Sequence, residues 1–243
     1  MSEQFLKNQV ALVTGGGRGI GRAVAGALAA QGARVYLVGR KADSLESAAR
    51  EIAAQGGAAV PVVCDVACEA DVLRAYGQID AESGRIDILF NNAAIATFAN
   101  LVDVTVEDWD RVMGVNVRGA FLCLREAMRR MQKQKGGRII NMGSIVSRKG
   151  YPNQGLYTTT KHAIYGLTKV AAVEGQKDNI IVQAILPGGV DTELVGSSRP
   201  DLDTTVLMKP EDVAEAALFL LRQEGNAITD FLELRRRTSA PFA

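Results

Sequence analysis

The chain has 243 residues, 47% of them hydrophobic and 23% charged, and a formal net charge of +1. That length suits one large α/β domain or two small ones with an ample core. The near-neutral balance excludes a protein that works by broad electrostatic attraction to nucleic acid or to an anionic membrane, and the only dense basic run is Arg235-Arg236-Arg237.

Met1 to Gln9 lacks the charged-then-apolar plan of a signal peptide. No later apolar run reaches the ~18 residues of a membrane span, so a cytoplasmic protein is expected. Val10 to Val13 is a short apolar run that enters a glycine cluster, which predicts a buried strand and a tight turn. Ile20, Val24, Ala27 and Leu28 then recur at helical spacing, and Gly32 closes that helix. Val35 to Val38 is a second strand, and Asp43 or Ser44 is expected to cap a helix running to about Ala54. Val60 to Cys64 is a third strand, a helix follows from about Glu69 to Glu82, and Ile86 to Phe90 is a fourth strand.

Thr105-Val-Glu-Asp108 opens a long helix by the Ser/Thr-x-x-acid capping rule. It is expected to reach about Gln134, bent near Gly114 or Gly119. Arg138 to Met142 is a fifth strand ending at Gly143-Ser144, and the helix carrying Tyr157 and Lys161 comes next. Ile180 to Leu186 is a sixth strand, stopped by Pro187-Gly188-Gly189. Thr192 to Thr205 reads as a polar loop, within a short lid over about 193–207. Pro210 starts a helix to Arg222, and Phe231 to Leu234 is a last strand. Strands alternate with helices, and most strands are apolar on both faces, as in a parallel sheet covered on both sides. The expected fold class is α/β, with one doubly wound domain over residues 1–243 and about seven strands.

The first turn, Thr14 to Gly21, carries Gly15, Gly17, Arg18, Gly19, Ile20 and Gly21. Glycines there let the backbone turn sharply and approach a pyrophosphate at the helix N-terminus, where free N–H groups and the dipole favour anions. The register is Thr-Gly-x-x-x-Gly-x-Gly, not the general Gly-x-Gly-x-x-Gly. The second strand ends at Val38-Gly39-Arg40, with no acid from 36 to 42. An Asp or Glu at this place reads ribose hydroxyls, whereas an Arg accommodates a 2′-phosphate. Arg40, with Arg18 as a second cation, therefore favours NADP(H) over NAD(H).

Tyr157 and Lys161 stand four apart and share a helix face. A cation beside a phenol favours the phenolate and lowers a pKa that is ordinarily ~10, which makes a usable general acid or base. Cys64, Cys68 and Cys123 lack the partner pairs of a zinc site. The single histidine, His162, follows Lys161 and should point away from it, so neither a metal centre nor a Ser-His-Asp triad is expected.

With these motifs in this order, the sequence resembles the classical short-chain dehydrogenases/reductases over roughly residues 7 to 222. The resemblance rests on Thr14 to Gly21, Asp65-Val66, Asn91-Asn-Ala-Ala94, Asn116 in the long helix, Ser144, Tyr157-x-x-x-Lys161 and Pro187-Gly188. It is similar to the NADP(H)-preferring, 3-oxoacyl-[acyl-carrier-protein] reductase-like members. It implies a Rossmann domain and an oxidoreductase that interconverts a ketone or aldehyde and an alcohol. It further implies that Tyr157 exchanges the proton with the substrate oxygen. Lys161 tunes Tyr157 and binds the nicotinamide ribose, Ser144 hydrogen-bonds the substrate oxygen, and Asn116 holds a water that links Lys161 to solvent. Asp65 and Val66 then become adenine contacts, and Asn91 and Ala93 ribose and backbone contacts. Pro187, Gly188, Val190 and Thr192 become the nicotinamide wall.

Two departures bear on that pattern. Ala94 stands where the family usually has Gly, and a less permissive backbone is expected to be accommodated there. Phe231 to Ala243 replaces the family's glycine-rich end, used in subunit packing, so a homo-oligomer is expected without a choice between dimer and tetramer.

By position the substrate-facing candidates are Ile145, Tyr151, Gln154, Gly189 and Leu194, with Ile95, Ser147 and Asn153 beside them. They suit a small carbonyl or a 3-oxoacyl thioester. Arg129, Arg130, Lys133 and Lys135 could greet an acyl carrier protein, or simply be the cations that a helix C-terminus prefers. The rival reading is a non-catalytic dinucleotide-binding regulator. A binding module, however, has no need of the set Asn116, Ser144, Tyr157 and Lys161.

Overall fold

The computed structural model describes residues 4–198 and 203–241. Its seven strands are β1 (Val10–Thr14), β2 (Arg34–Gly39), β3 (Ala58–Val63), β4 (Ile88–Asn91), β5 (Gly137–Met142), β6 (Ile180–Pro187) and β7 (Phe231–Leu234). They form one sheet in the order β3-β2-β1-β4-β5-β6-β7, and every neighbouring pair is parallel. The chain order reverses between β1 and β4. In such sheets, ligands bind in the crevice beyond the carboxyl ends of the strands at that point.

Strand side chains alternate between faces, and both faces of this sheet are covered. On one side Val13, Leu37, Phe90 and Ile140 pack with α1 (Gly19–Ala30), α2 (Ala42–Ala54) and α8 (Pro210–Leu221) through Val24, Leu28, Leu45, Ile52, Val213 and Leu220. On the other, Leu12, Tyr36, Leu89, Ile139 and Val182 pack with α3 (Glu69–Ser83), α5 (Ala120–Gln134) and α6 (Gly155–Gly175) through Val72, Tyr76, Ile79, Leu122, Met131 and Ala171. Each fully buried Val, Leu, Ile, Phe or Met side chain among them stabilises the fold by roughly 1.5–3 kcal/mol. This packing is why successive residues of one strand are all apolar.

Several boundaries differ from the sequence expectation, for local reasons. β3 starts at Ala58 rather than Val60, because it pairs with β2 from Arg34↔Ala58 onward. α2 starts at Ala42, and Lys41 at its N-cap makes no capping bond. Asp43, expected as a cap, stands in the first turn, where a negative charge also suits the dipole. The long helix opens as expected, with Thr105 Oγ1 accepting from Asp108 N at 3.1 Å. It is three pieces: α4 (Val106–Met113), a π-helical turn (Gly114–Gly119) and α5. The expected bend is thus a widened turn bounded by both candidate glycines. At Gly119 a Cβ would stand 2.8 Å from Val66 Cγ2, so this helix comes close to the loop after β3. The lid contains a short helix, α7 (Glu193–Ser198). Its residues 199–202, Pro200 among them, lie outside the described residues. Among the described residues, no helix is long and apolar enough to cross a membrane.

Candidate active site

The ends of β1, β2 and β4 are tied together before any ligand enters. Gly15 N and Gly16 N both donate to Val38 O, at 2.8 and 3.2 Å. The Thr14 hydroxyl, fully buried, accepts from Asn92 N at 2.8 Å and Ala93 N at 2.9 Å. Gly15 takes φ +69°, which favours glycine. A Cβ on Gly21 would stand 2.7 Å from the Gly15 carbonyl carbon, so the turn closes only on glycine. α1 then begins with Arg18 at its N-cap, without a side-chain cap and without an acid in the first turn. Its leading N–H groups therefore need an anion or water. This cradle fits the pyrophosphate of a dinucleotide.

A cleft of about 240 Å³ runs from this cradle to α6. Its lining includes Gly15, Gly17, Arg18, Gly19, Ile20, Arg40, Asp65, Val66, Ala93, Ser144, Tyr157, Lys161, Pro187, Gly188, Val190, Thr192 and Leu194 from the sequence-derived set. Ile95, a further substrate candidate, lines it too. Lys41 and Ser44 stand beside Arg40 and were not among the sequence candidates. The contiguous Arg40-Lys41 pair was the available signal.

Several sequence candidates are placed elsewhere. Gly21 is buried behind the turn. Asn91, expected at the ribose, turns its amide into the core, where it donates to Ala120 O at 2.9 Å and Asn141 Oδ1 at 3.1 Å. Its neighbour Asn92 lines the cleft instead. Ser147 is buried and committed, donating to Lys161 O at 3.0 Å and accepting from Ser144 N at 3.2 Å. Ile145, Tyr151, Asn153, Gln154 and Gly189 do not line the cleft. Tyr151 and Asn153 are exposed, Gln154 pairs with Ala99, and Gly189 is backed by Leu207 and Arg236. Arg18, expected as a second phosphate cation, forms an ion pair with Glu193 of α7 across the cleft. Both partners are exposed, and such pairs contribute little, about 0–1 kcal/mol. A phosphate competes easily for that arginine. Ala94 is not among the residues in the left-handed region, so its backbone is accommodated without strain there.

At the other end of the cleft, α6 presents Tyr157 and Lys161. Their relation is not the direct contact expected from the spacing. Lys161 is buried, its ammonium donates to Met142 O at 2.8 Å, and Nζ lies 5.5 Å from the centroid of the Tyr157 ring. Burial pushes Lys161 down to about 8. Burial also pushes the Tyr157 hydroxyl up to about 12, against a smaller lowering by a hydrogen bond with Ser144. The expected lowering by the lysine is therefore reversed in the protein alone, because desolvation disfavours both charged forms. At neutral pH Tyr157 is a protonated phenol, poised as a donor.

Ser144, at the end of β5, donates from Oγ to Pro187 O at 3.3 Å. Ser147 thus ties the Ser144 turn to α6, and Ser144 ties it to the end of β6. Phe98, from the loop after β4, meets the Tyr157 ring edge to face at 5.8 Å between centroids. It is a site residue that no motif marked. Asn116 lies in the π turn, 2% exposed and outside the cleft lining. It donates to Ile95 O at 2.8 Å and Thr160 Oγ1 at 3.2 Å, and accepts from Ile95 N at 2.9 Å. The π turn thus fastens the Ile95 loop to α6 next to Lys161. Both Asn116 amide hydrogens are used, and one acceptor position of its oxygen remains. Cys64 also lines the cleft, but burial pushes its thiol up to about 12, so it is no nucleophile.

Residues 9–203 match the family model described as short chain dehydrogenase. The 2-(S)-hydroxypropyl-CoM dehydrogenase 3 of Xanthobacter autotrophicus is 35% identical over 238 residues, covering 92% of this chain and 93% of that protein. Among solved structures, a metagenomic short-chain oxidoreductase in complex with NADP superposes with a TM-score of 0.85 at 31% identity, covering 96% of this chain and 99% of that one. The 3-ketoacyl-(acyl-carrier-protein) reductase of Brucella melitensis complexed with NADH does so with a TM-score of 0.86 at 35% identity, covering 95% and 98%.

Proposed function

Because the chain belongs to the short-chain dehydrogenase family and is an oxidoreductase of it, we propose that it interconverts a small ketone or aldehyde and an alcohol with NADP(H), in the cytoplasm. The observation that carries this reading is one cleft with an anion cradle and Arg40 at one end and Ser144, Tyr157 and Lys161 at the other. Gly15, Gly17, Gly19 and the first turn of α1 hold the cofactor's pyrophosphate, and Arg40 with Lys41 holds its 2′-phosphate. Bound there, the cofactor supplies or accepts the hydride.

The chain's own residues supply the rest. The Ser144 hydroxyl orients the substrate oxygen. Tyr157 donates its phenolic proton to that oxygen in reduction and retrieves it in oxidation. Lys161, held by Met142 O, places a cation beside the Tyr157 ring and offsets the charge left on the phenolate. Asn116, through Thr160 and Ile95, positions both sides of the cleft and offers its spare acceptor to a proton relay.

NADPH oxidation measured with a panel of small ketones and aldehydes tests the reading. No turnover of any carbonyl, and none of the matching alcohols with NADP⁺, would leave a dinucleotide-binding regulator. Arg40→Asp is expected to move the NADPH-to-NADH ratio of kcat/KM about 10–100-fold toward NADH, since the Asp meets ribose hydroxyls and repels a 2′-phosphate. An unchanged ratio would remove Arg40 as the reader.

The proposed carbonyl is a free small molecule rather than one carried on an acidic protein. Arg129 and Arg130 are paired with Glu126, Arg130 also with Asp80, and Lys135 with Asp178, so these cations have partners within the chain itself, as the helix-end reading expects. The protein is further proposed to form a homo-oligomer, because Phe121 on α5 and Val170 and Val173 on α6 are 41%, 56% and 76% exposed. Light scattering should give a multiple of the 25.9 kDa chain mass, and a monomer mass would refute this.

A further inference from the structure

Phe98 lies in the loop that leaves β4, and that loop is fastened to helices along its length. Ile95 N donates to Asn116 Oδ1 at 2.9 Å, and Ile95 O accepts from Asn116 Nδ2 at 2.8 Å. The Thr97 hydroxyl accepts from Arg111 Nη2 of α4 at 2.9 Å. Ala99 pairs with Gln154, the N-cap residue of α6. A Cβ on Gly155, the first residue of α6, would collide with Leu101 Cδ1, so Leu101 closes on that helix end. Residues 95, 97, 99 and 101 are thus all held, and between them the Phe98 ring meets Tyr157.

The ring planes stand at 80° with their centroids 5.8 Å apart, an arrangement that aromatic quadrupoles prefer. Tyr157 lines the cleft and Phe98 does not, so a molecule in the cleft meets the phenol and not the ring behind it. The phenol oxygen sits at the far end of a side chain that turns about two bonds. A small tilt near the backbone therefore becomes a larger displacement at the oxygen. Misplacing a reacting group by about 1 Å can cost about 10²-fold in rate. A neighbouring ring on an anchored loop limits that tilt.

We propose that Phe98 is a positioning residue for proton transfer, its ring holding Tyr157 in the orientation from which the hydroxyl reaches the substrate oxygen beside Ser144. This deepens the carbonyl-reductase reading and rests on it for the proton that Tyr157 carries. Phe98 acts through Tyr157 and not on the substrate, so its effect falls on turnover and not on binding.

The test uses the whole protein with NADPH and a small ketone or aldehyde that the unaltered protein reduces. Phe98→Ala is expected to lower kcat about 10–100-fold, with the KM for the carbonyl and for NADPH each changed less than about threefold. Phe98→Tyr keeps a ring in place and should hold kcat within about threefold of the unaltered protein. Phe98→Leu keeps apolar bulk without a ring and should fall between the two, which preserves the test if Phe98→Ala fails to fold. The decisive comparison is a double-mutant cycle. Added to Tyr157→Phe, the change Phe98→Ala should cost less than about threefold, because no hydroxyl is left to be placed. An unchanged kcat in Phe98→Ala overturns the proposal, and so does a loss that appears in KM alone. A Phe98→Tyr variant as slow as Phe98→Ala overturns it too. So does an equal loss in the Tyr157→Phe background, which would mean that the loop serves the cleft by some other contact. The two readings fail differently. A carbonyl reduced equally well with and without the Phe98 ring leaves the reductase and removes the positioning role. No turnover of any carbonyl by the unaltered protein removes the reductase, and the positioning role with it.

Discussion

Tyr157→Phe is expected to lower kcat/KM for carbonyl reduction by about 10³-fold, within the 10²–10⁴ range that a positioned general acid contributes. The substitution removes one oxygen and little else. The ring keeps its edge-to-face contact with Phe98 and its place beside Lys161 Nζ. NADPH affinity, measured by fluorescence titration, should therefore change less than threefold. The direction of the Tyr157 pKa sharpens the expectation. With burial holding the phenol up to about 12, the group is protonated throughout the neutral range, ready to give its proton in reduction. Its loss should strike reduction at pH 7 directly, and an undiminished rate would remove Tyr157 from the chemistry.

What could be read in the sequence follows from which physical rules are local. Strand faces were legible because side chains alternate with period two and both faces are buried, as Leu12 and Val13 show by packing on opposite sides. The Thr105 cap was legible because donor and acceptor lie three residues apart. The cleft was legible where a motif carries its own geometry, as in the glycine turn, Ser144 and the Tyr157–Lys161 pair.

The rest depends on contacts between segments far apart in the chain. Two adjacent asparagines read alike, yet Asn91 faces the core and Asn92 the cleft, because β4 fixes opposite directions for them. The π turn has no periodicity to display in six residues. Phe98 reaches Tyr157, and Arg236 reaches Gly189, only once the sheet has assembled. The spacing of Tyr157 and Lys161 placed them on one face. It could not show that the end of β5 offers Met142 O, which draws the ammonium away from the phenol.

That last contact sets up a conflict between stability and activity. Lys161→Met should lower kcat by about 10²-fold or more, because Tyr157 then gives up its proton without a neighbouring cation. The same change should relieve the fold at neutral pH. Lys161 ordinarily titrates at 10.5 but is pushed down to about 8 in the folded protein, with burial as the cause. The unfolded chain therefore binds more protons than the folded one between these values, and the stability of the wild-type protein rises with pH across that window.

From about pH 7 to about pH 9.5 the gain is about 2 kcal/mol, and Lys161→Met, which has no ammonium to desolvate, lacks it. Cys64 and Cys123, whose thiols burial pushes up, lose stability over part of the same range, but they do so in both proteins and cancel from the difference. Urea unfolding of the two proteins at both pH values measures that difference free of the packing change itself. A difference that stays flat with pH would mean that the folded protein does not desolvate Lys161. The cation beside Tyr157 would then be an ordinary exposed charge, too well screened to stabilise a phenolate.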